Sequence, residues 1–305
     1  FKKALSWSAT TMGGSSFRIT NNKTSSTAAP SLYFKNDDDL YVSLALLNSC
    51  ISQVYMDLLN PTVGLKLANV EAVPAIKFEK MAVLLRSLCE NNIALSKEDW
   101  DSYEISWDFE QHPLVKRKEL HSLEKCYLEW KTECENRFLK MKDNEEHINA
   151  VILKEYGLEN EVACEVSEKS ISVHRIFDTK EDIPVSMDGS YYVRTKRDEI
   201  VSLISYSVGC MFGRYSLDKN GIVNAGDSLN ANEYVSFSVD KDNIIPICDD
   251  EYFKDDIVGR FVEFIKIVYG VDSLDDNLKF IANALGGKGS PREIIRNYFV
   301  NDFYK

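Results

Sequence analysis

The amino-acid sequence predicts an α+β protein that is predominantly helical. It has a small β-containing region at the N-terminus, a long helical hairpin in the middle and a helical C-terminal region. The prediction rests on three features. Residues 1–36 are rich in Ser, Thr, Gly and Asn and hold two β-prone runs, Phe17-Arg18-Ile19-Thr20 and Ser31-Leu32-Tyr33-Phe34. From Phe78 to Tyr156 apolar residues recur at steps of three and four. Beyond residue 199, helix-start and helix-stop residues punctuate the chain.

Taken in order, strands and loops are expected over residues 1–36. Asp37 to Asp39 then precede a helix running to about Leu59, where acids favour the helix N-terminus. Leu40, Leu44, Leu47, Ile51, Val54 and Leu58 make it amphipathic, and Ser43, Asn48, Ser49, Ser52 and Gln53 set it apart from a membrane span. Asn60-Pro61 should end it, because proline disfavours helical geometry in the residue before it. Residues 62–76 look extended, punctuated by Pro74. Met81, Leu84, Leu85 and Leu88 line one face of the next helix, and Ser96, with Glu98 and Asp99, should begin another turn. Leu120, Leu123, Tyr127, Trp130, Cys134, Phe138 and Met141 mark a long helix with one narrow seam. Asp143 and Glu146 resemble a capping pair for a further helix carrying Ile148, Val151, Ile152 and Tyr156, which Gly157 stops. Residues 158–198 hold β-prone runs at Ser170–Phe177 and Tyr191–Arg194. Helices are expected at about 199–213, 254–269 and 274–285. A last one starts at Ser290-Pro291-Arg292-Glu293, with Ser as N-cap, Pro first and Glu third. Three regions follow: 1–76, 77–160 and 161–305.

The chain has 305 residues and a net charge of −12, which argues against a protein that binds polyanions over its whole surface. Its charge is unevenly spread. Residues 1–36 carry Lys2, Lys3, Arg18, Lys23 and Lys35 and no acid, which leaves −17 on the remainder. An acidic body with one basic end can steer nucleic acid to a single face, although a short positive stretch also arises by chance. The seven cysteines form no C-x-x-C pair, as expected of reduced cytosolic thiols rather than disulfides or metal ligands. No cleavable signal pattern precedes the first helix, so a cytoplasmic location is expected. The chain opens on Phe1 rather than Met, and Asn301 to Lys305 look like an interrupted element, so a piece of a longer protein is expected.

No complete active site is legible. His112, His121, His147 and His174 are scattered, and neither H-E-x-x-H nor G-x-S-x-G occurs. Glu119, Glu124, Glu129 and Glu133 lie among lysines as on a solvated helix face. Gly286-Gly287-Lys288-Gly289-Ser290 fails the phosphate-loop pattern and follows a helix, so a helix cap is the commoner reading. Exposed amides there, with Lys288 and Arg292, could still hold a DNA phosphate. Asn60-Pro61-Thr62-Val63 lacks the second proline and the aromatic of an Asn-Pro-Pro-aromatic motif. Gly209 and Gly213, four apart on one predicted helix face, favour close packing, with a nucleic-acid contact through Arg214 as the lesser alternative.

Several stretches together resemble the C-terminal, target-recognition half of the PglX family, the adenine-specific DNA methyltransferases of BREX phage-defence systems. The most specific is Leu203 to Asp218 (LISYSVGCMFGRYSLD). Others are Ser106-Trp107-Asp108-Phe109, Asn144-Glu145-Glu146 leading to Tyr156-Gly157-Leu158, and Ser290-Pro291-Arg292-Glu293 leading to Asn301 through Lys305. Trp7-Ser8, Ser16-Phe17-Arg18, Leu46-Leu47-Asn48-Ser49 and Leu59-Asn60-Pro61-Thr62 resemble the start of the family's target-recognition region, and TaqI-like specificity domains are arranged similarly. The resemblance implies that the S-adenosylmethionine site and the Asn-Pro-Pro-Tyr motif lie upstream in a parent enzyme, so this chain itself is expected to bind no cofactor. It would read double-stranded DNA beside the upstream methyltransferase domain of its parent. The family's recognition residues do not carry over one by one. From charge and loop character alone, the expected DNA-binding residues are Lys2, Lys3, Phe17, Arg18, Lys23, Arg214, Lys288 and Arg292. Two further readings stand beside this one: a scaffold docking other defence-system subunits, and the specificity half of a combined restriction-modification enzyme.

Overall fold

Strand β1 (Ala4–Ser6) pairs antiparallel on one side with β2 (Arg18–Thr20) and on the other with β3 (Ser31–Tyr33), giving the order β2-β1-β3. The computed structural model describes residues 2–11, 14–60, 62–76, 78, 80–226 and 230–304. Phe1, Pro61 and Lys305, which entered the sequence reading, lie outside the described residues. The chain divides into two compact units, Phe1–Ser96 with Leu139–Ile171, and Lys97–Phe138 with Ser172–Lys305.

In the first unit the sheet row Leu5, Ile19 and Leu32 joins the apolar core. Helix α1 (Asp37–Asn48) follows. The Asn36 side chain accepts from Asp39 N at 2.8 Å, and the three aspartates complement the helix N-terminus. The expected single helix to Leu59 breaks at Ser49, where the backbone turns extended, and α2 (Cys50–Leu59) leaves at 68° to α1. The cause lies in side chains. Ser49 and Ser52 both donate to the Leu46 carbonyl, and Cys50 N donates to Asn149 Oδ1 at 3.0 Å instead of continuing the helical ladder. Leu40, Leu44, Leu47 and Ile51 are buried in the unit's own core, whereas Val54 and Leu58, expected on the same face, are exposed once the helix has bent. No single helix among the described residues is long and apolar enough to cross a membrane.

The stretch expected to be extended folds in part as α3 (Leu67–Glu71), started by Asn69 Oδ1 accepting from Lys66 N at 3.1 Å. Helix α4 (Ala82–Asp101) runs through Ser96 without the predicted restart. The acids after Ser96 are used otherwise: Asp101 pairs with Lys97 at 2.6 Å, and Asp99 is buried. In this unit Leu85 and Cys89 of α4 share a core with Ile148 and Ile152, and Asn144 donates to Asn91 and Asn92 at 2.7 Å each.

Ile148, Ile152 and Asn144 belong to the longest helix. After α5 (Pro113–Lys116) and a left-handed residue at His121, α6 runs unbroken from Leu123 to Tyr156, its first part in the second unit and its last in the first. The break predicted at Asp143 is absent. No Gly or Pro interrupts these 34 residues, and Asp143 and Glu146 pair with Lys140 and Lys142 rather than capping a new start. Gly157, at φ +69°, ends the helix as predicted.

The predicted seam lies in the second unit from Leu123 to Phe138, while Leu120 falls in a 3-10 turn before the helix and Met141 belongs to the first unit. Leu123, Tyr127, Trp130, Cys134 and Phe138 are all buried. Trp130 Nε1 donates to Glu199 Oε2 at 2.8 Å, and the guanidiniums of Arg117 and Arg137 lie 5.2 and 5.3 Å from its ring. Strands β4 (Arg175–Phe177) and β5 (Val193–Thr195) pair in parallel. β5 feeds α7 (Lys196–Met211) through a capping box between Thr195 and Asp198. α8 (Ile257–Tyr269), α9 (Leu274–Leu285) and α10 (Pro291–Asn301) complete the unit. Gly213 lies beyond α7 at φ +77°, so the two glycines do not share a helical face. Gly209 packs closely all the same, because a Cβ there would stand 2.6 Å from the Tyr215 ring.

Two consequences follow for stability. Trp130→Ala removes a fully buried ring and leaves Glu199 without one donor, so urea unfolding should show a loss of about 3–5 kcal/mol. A loss below about 1 kcal/mol would mean that the seam is not a packed core. Burial, with the Glu146 charge beside it, pushes the Glu145 carboxyl up to about 7. Its folded pKa is raised, so its contribution is full below the usual carboxylate range and is lost as pH rises to about 7. Glu145→Gln should therefore gain stability over the wild type at pH 8, and the difference should close at pH 4. Parallel pH–stability curves would refute this.

Candidate nucleic-acid interface

The strand register decides which basic residues meet. Ala4 stands opposite Thr20 and Tyr33, and Ser6 opposite Arg18 and Ser31. Lys2 and Lys3 precede Ala4 and Lys23 follows Thr20, so these three gather at one end of the sheet while Arg18 sits at the other. Residues 21–28 between β2 and β3 are all exposed, and Lys23 is the one charge among them. Lys2, Arg18 and Lys23 are exposed, and their side chains make no hydrogen bond or ion pair among the described residues.

Lys3 differs. Its ammonium lies 3.0 Å from Asp37 and 4.6 Å from the centre of the Tyr41 ring. Burial alone would lower its pKa, but the Asp37 carboxylate and Tyr41 hydroxyl raise it, so this charge is already neutralised within the fold. Phe17 differs more. It is 3% exposed and its ring lies 5.4 Å from that of Trp7, so it belongs to the core, while its neighbour Arg18 is exposed. Alternation explains the pair, since adjacent strand residues point to opposite faces.

A residue that the charge pattern did not reveal holds this corner. Asn48, the last residue of α1, accepts from Phe17 N at 2.9 Å and donates to Phe17 O at 3.0 Å. A side-chain amide thus gives β2 the two hydrogen bonds a further strand would have given, and fixes the backbone from which Arg18 projects. Its signal in the sequence is a polar residue closing an otherwise apolar helix.

Arg214, Lys288 and Arg292 belong to the other unit. Arg214 is exposed, and its Nε donates to Tyr215 Oη at 3.1 Å. Lys288 is exposed and borders a cavity of about 130 Å³ with Arg197, Gly286, Gly287, Tyr298 and Asp302. That cavity lies at the C-terminal end of α9, the negative end of the helix dipole, and there Arg197 donates to the Leu285 carbonyl. The start of α10 is also closed to phosphate. Ser290 N donates to Glu293 Oε2 at 2.7 Å and Ser290 Oγ caps Glu293 N, which seats a carboxylate where the anion would bind. Arg292 faces Glu251 at 3.6 Å. The capping role read from Ser290-Pro291-Arg292-Glu293 holds, and the phosphate role loses its amides.

Two of the histidines serve the fold. His112 is buried and accepts from Leu114 N. Burial, with the Arg194 and Arg117 charges, pushes it down to about 3, so it stays neutral. His174 binds Asp99 at 2.7 Å and packs edge-on against Tyr103 and Tyr192.

No protein-family model matches the chain. Its relatives among curated proteins fall in one class, the adenine-specific methyltransferases, and the similarity is to a C-terminal region of them. The chain is 36% identical over 313 residues to the adenine-specific methyltransferase PglX of Lacticaseibacillus casei (strain Zhang), which covers 100% of the chain and 24% of that protein. It is 32% identical over 290 residues to the adenine-specific methyltransferase BrxX of Escherichia coli O9:H4 (strain HS), covering 90% of the chain and 23% of that protein. The chain therefore spans about a quarter of the length of the curated relatives it matches.

Phe17 and Arg18 give opposite expectations. Phe17→Ala should lower stability by about 3–5 kcal/mol in thermal or urea unfolding. Arg18→Ala should leave it within about 0.5 kcal/mol. A stability loss at Arg18 as large as that at Phe17 would mean that the arginine, too, is structural.

Proposed function

We propose that this chain is the DNA-recognition and scaffold portion of an adenine-specific DNA methyltransferase of a BREX-like phage-defence or restriction-modification system. In this reading an upstream methyltransferase domain of the same parent protein binds S-adenosylmethionine. That domain transfers the methyl group to the exocyclic amine of an adenine flipped out of the duplex. The present chain holds and reads the double-stranded DNA and supplies no catalytic group.

The observation that carries the reading is the unneutralised N-terminal cations. Lys2, Arg18 and Lys23 are free of acids within a chain whose net charge is −12, so phosphate attraction is concentrated on one part of the surface. The similarity to part of two adenine-specific methyltransferases, over 100% of the chain for one and 90% for the other, supports it. A scaffold reading is favoured by one different observation. Val185, Tyr191 and Trp107 are 93, 95 and 92% exposed, side chains suited to docking other defence-system subunits. Both roles can belong to one chain.

The test is duplex binding across a salt series. Lys23→Ala should weaken binding to all sequences alike and lower the slope of log K against log salt by about one. Arg18→Ala should cost about 1–3 kcal/mol and relax preference at one base pair. If both variants bind and methylate as the wild type does when placed in the longer enzyme, the DNA-recognition reading fails and the scaffold reading takes its place.

A further inference from the structure

Side chains along a strand alternate between faces, and in the N-terminal sheet the core claims one of them. Leu5, Ile19 and Leu32 stand in one cross-strand row and pack into the core of the first unit. Ala4, Ser6, Arg18, Thr20, Ser31 and Tyr33 therefore occupy the opposite face. Exposure agrees with this assignment. Tyr33 is 53% exposed and Arg18 is exposed on its two outer strands, Ser6, Thr20 and Ser31 are half-buried, and Ala4 is buried where Thr20 and Tyr33 flank it in register. The Ser6 hydroxyl is tied to the Pro30 carbonyl at 2.9 Å, so the centre of this face is flat and free of large side chains.

The same alternation sorts the charges. Lys3, on the core side, is spent on Asp37, and Arg86 takes Asp38 at 2.9 Å. Lys2, on the outer side, and Lys35, two residues beyond Tyr33, are exposed, with no side-chain hydrogen bond or ion pair among the described residues. Three free cations, Lys2, Arg18 and Lys35, thus border a flat face of small side chains carrying one exposed tyrosine, and residues 1–36 contain no acid. The spacing is also informative. Ser6 lies level with Arg18 and four residues from Lys2, roughly 13 Å at about 3.3 Å per residue. The major groove of duplex DNA is about 12 Å wide.

We propose that the outer face of the sheet β2-β1-β3 lies over a groove of duplex DNA. Lys2 and Lys35 meet phosphates on one side, Arg18 reaches the other, and Tyr33 stands over the groove between them. This rests on the DNA-recognition reading and commits it to one surface. It adds Tyr33 and Lys35 to the contact residues and removes Lys3.

The test uses the full 305-residue chain, alone and within the longer methyltransferase proposed above, with a fluorescent duplex of mixed sequence titrated over a salt series. Lys2→Ala with Lys35→Ala should lower the salt slope by about two, and Lys35→Glu should weaken binding by about tenfold or more at low salt. Tyr33→Ala should weaken it several-fold with the slope unchanged. Lys3→Met, on the core side, should leave the slope as in the wild type. Thermal melts of each variant separate lost binding from lost folding. If the wild type binds duplex while the Lys2/Lys35 double variant keeps its slope and affinity, the outer face is not the docking surface, and DNA recognition stands on other residues. If the wild type binds no duplex in either form, the DNA-recognition reading falls and takes this surface with it.

Discussion

Both cores depend on one uninterrupted run of backbone hydrogen bonds, the helix from Leu123 to Tyr156. Its first part buries Tyr127, Trp130, Cys134 and Phe138 in one unit, and its last buries Ile148, Ile152 and Leu153 in the other. Polar anchors accompany each half. Trp130 binds the fully buried Glu199, whose second oxygen takes the Arg194 guanidinium. Asn149 binds Cys50 N and the Cys164 carbonyl. A buried carboxylate such as Glu199 is tolerable only while its donors stay in place, so it penalises any packing of α6 that would move Trp130.

Charge works differently at the two ends of the chain. Near the N-terminus the fold separates cations that are adjacent in sequence, sending Lys3 inward to Asp37 and leaving Lys2 in solvent. Near the C-terminus the fold answers its own helix dipole, since Glu293 satisfies the start of α10 and Arg292 turns to Glu251. Equal numbers of lysines and arginines in two segments can therefore mean quite different potentials. The deciding quantity is the count of cations left without an internal partner.

Features governed by neighbouring residues were legible in the sequence. The capping box at Ser290, the stop at Gly157, the α6 seam and the β-prone runs all rest on local geometry, and all appear. Features governed by distant partners were not. The bend at Ser49 needs Asn149, and the unbroken course of α4 past Ser96 goes with an Asp99 that is buried against His174 rather than capping a new turn. The same division holds for the candidate interface. Its basic composition was visible in the sequence, but choosing among its residues required knowing which face met the core. The alternation of Leu5 with Trp7 and of Phe17 with Ile19 carries that information. Followed strictly, it would have placed Phe17 inside and Arg18 outside.

The segment between β2 and β3 has a property of its own. Residues 21–28 are exposed throughout, and both ends are held by strands already paired to β1. Lengthening such a loop costs little, about 0.6 kcal/mol for a doubling. Its sequence can drift, and its length can change, while Leu5, Phe17 and Asn48 go on holding the strands that carry it. Substitutions and length changes in this segment therefore reshape the surface of the first unit and leave its core alone.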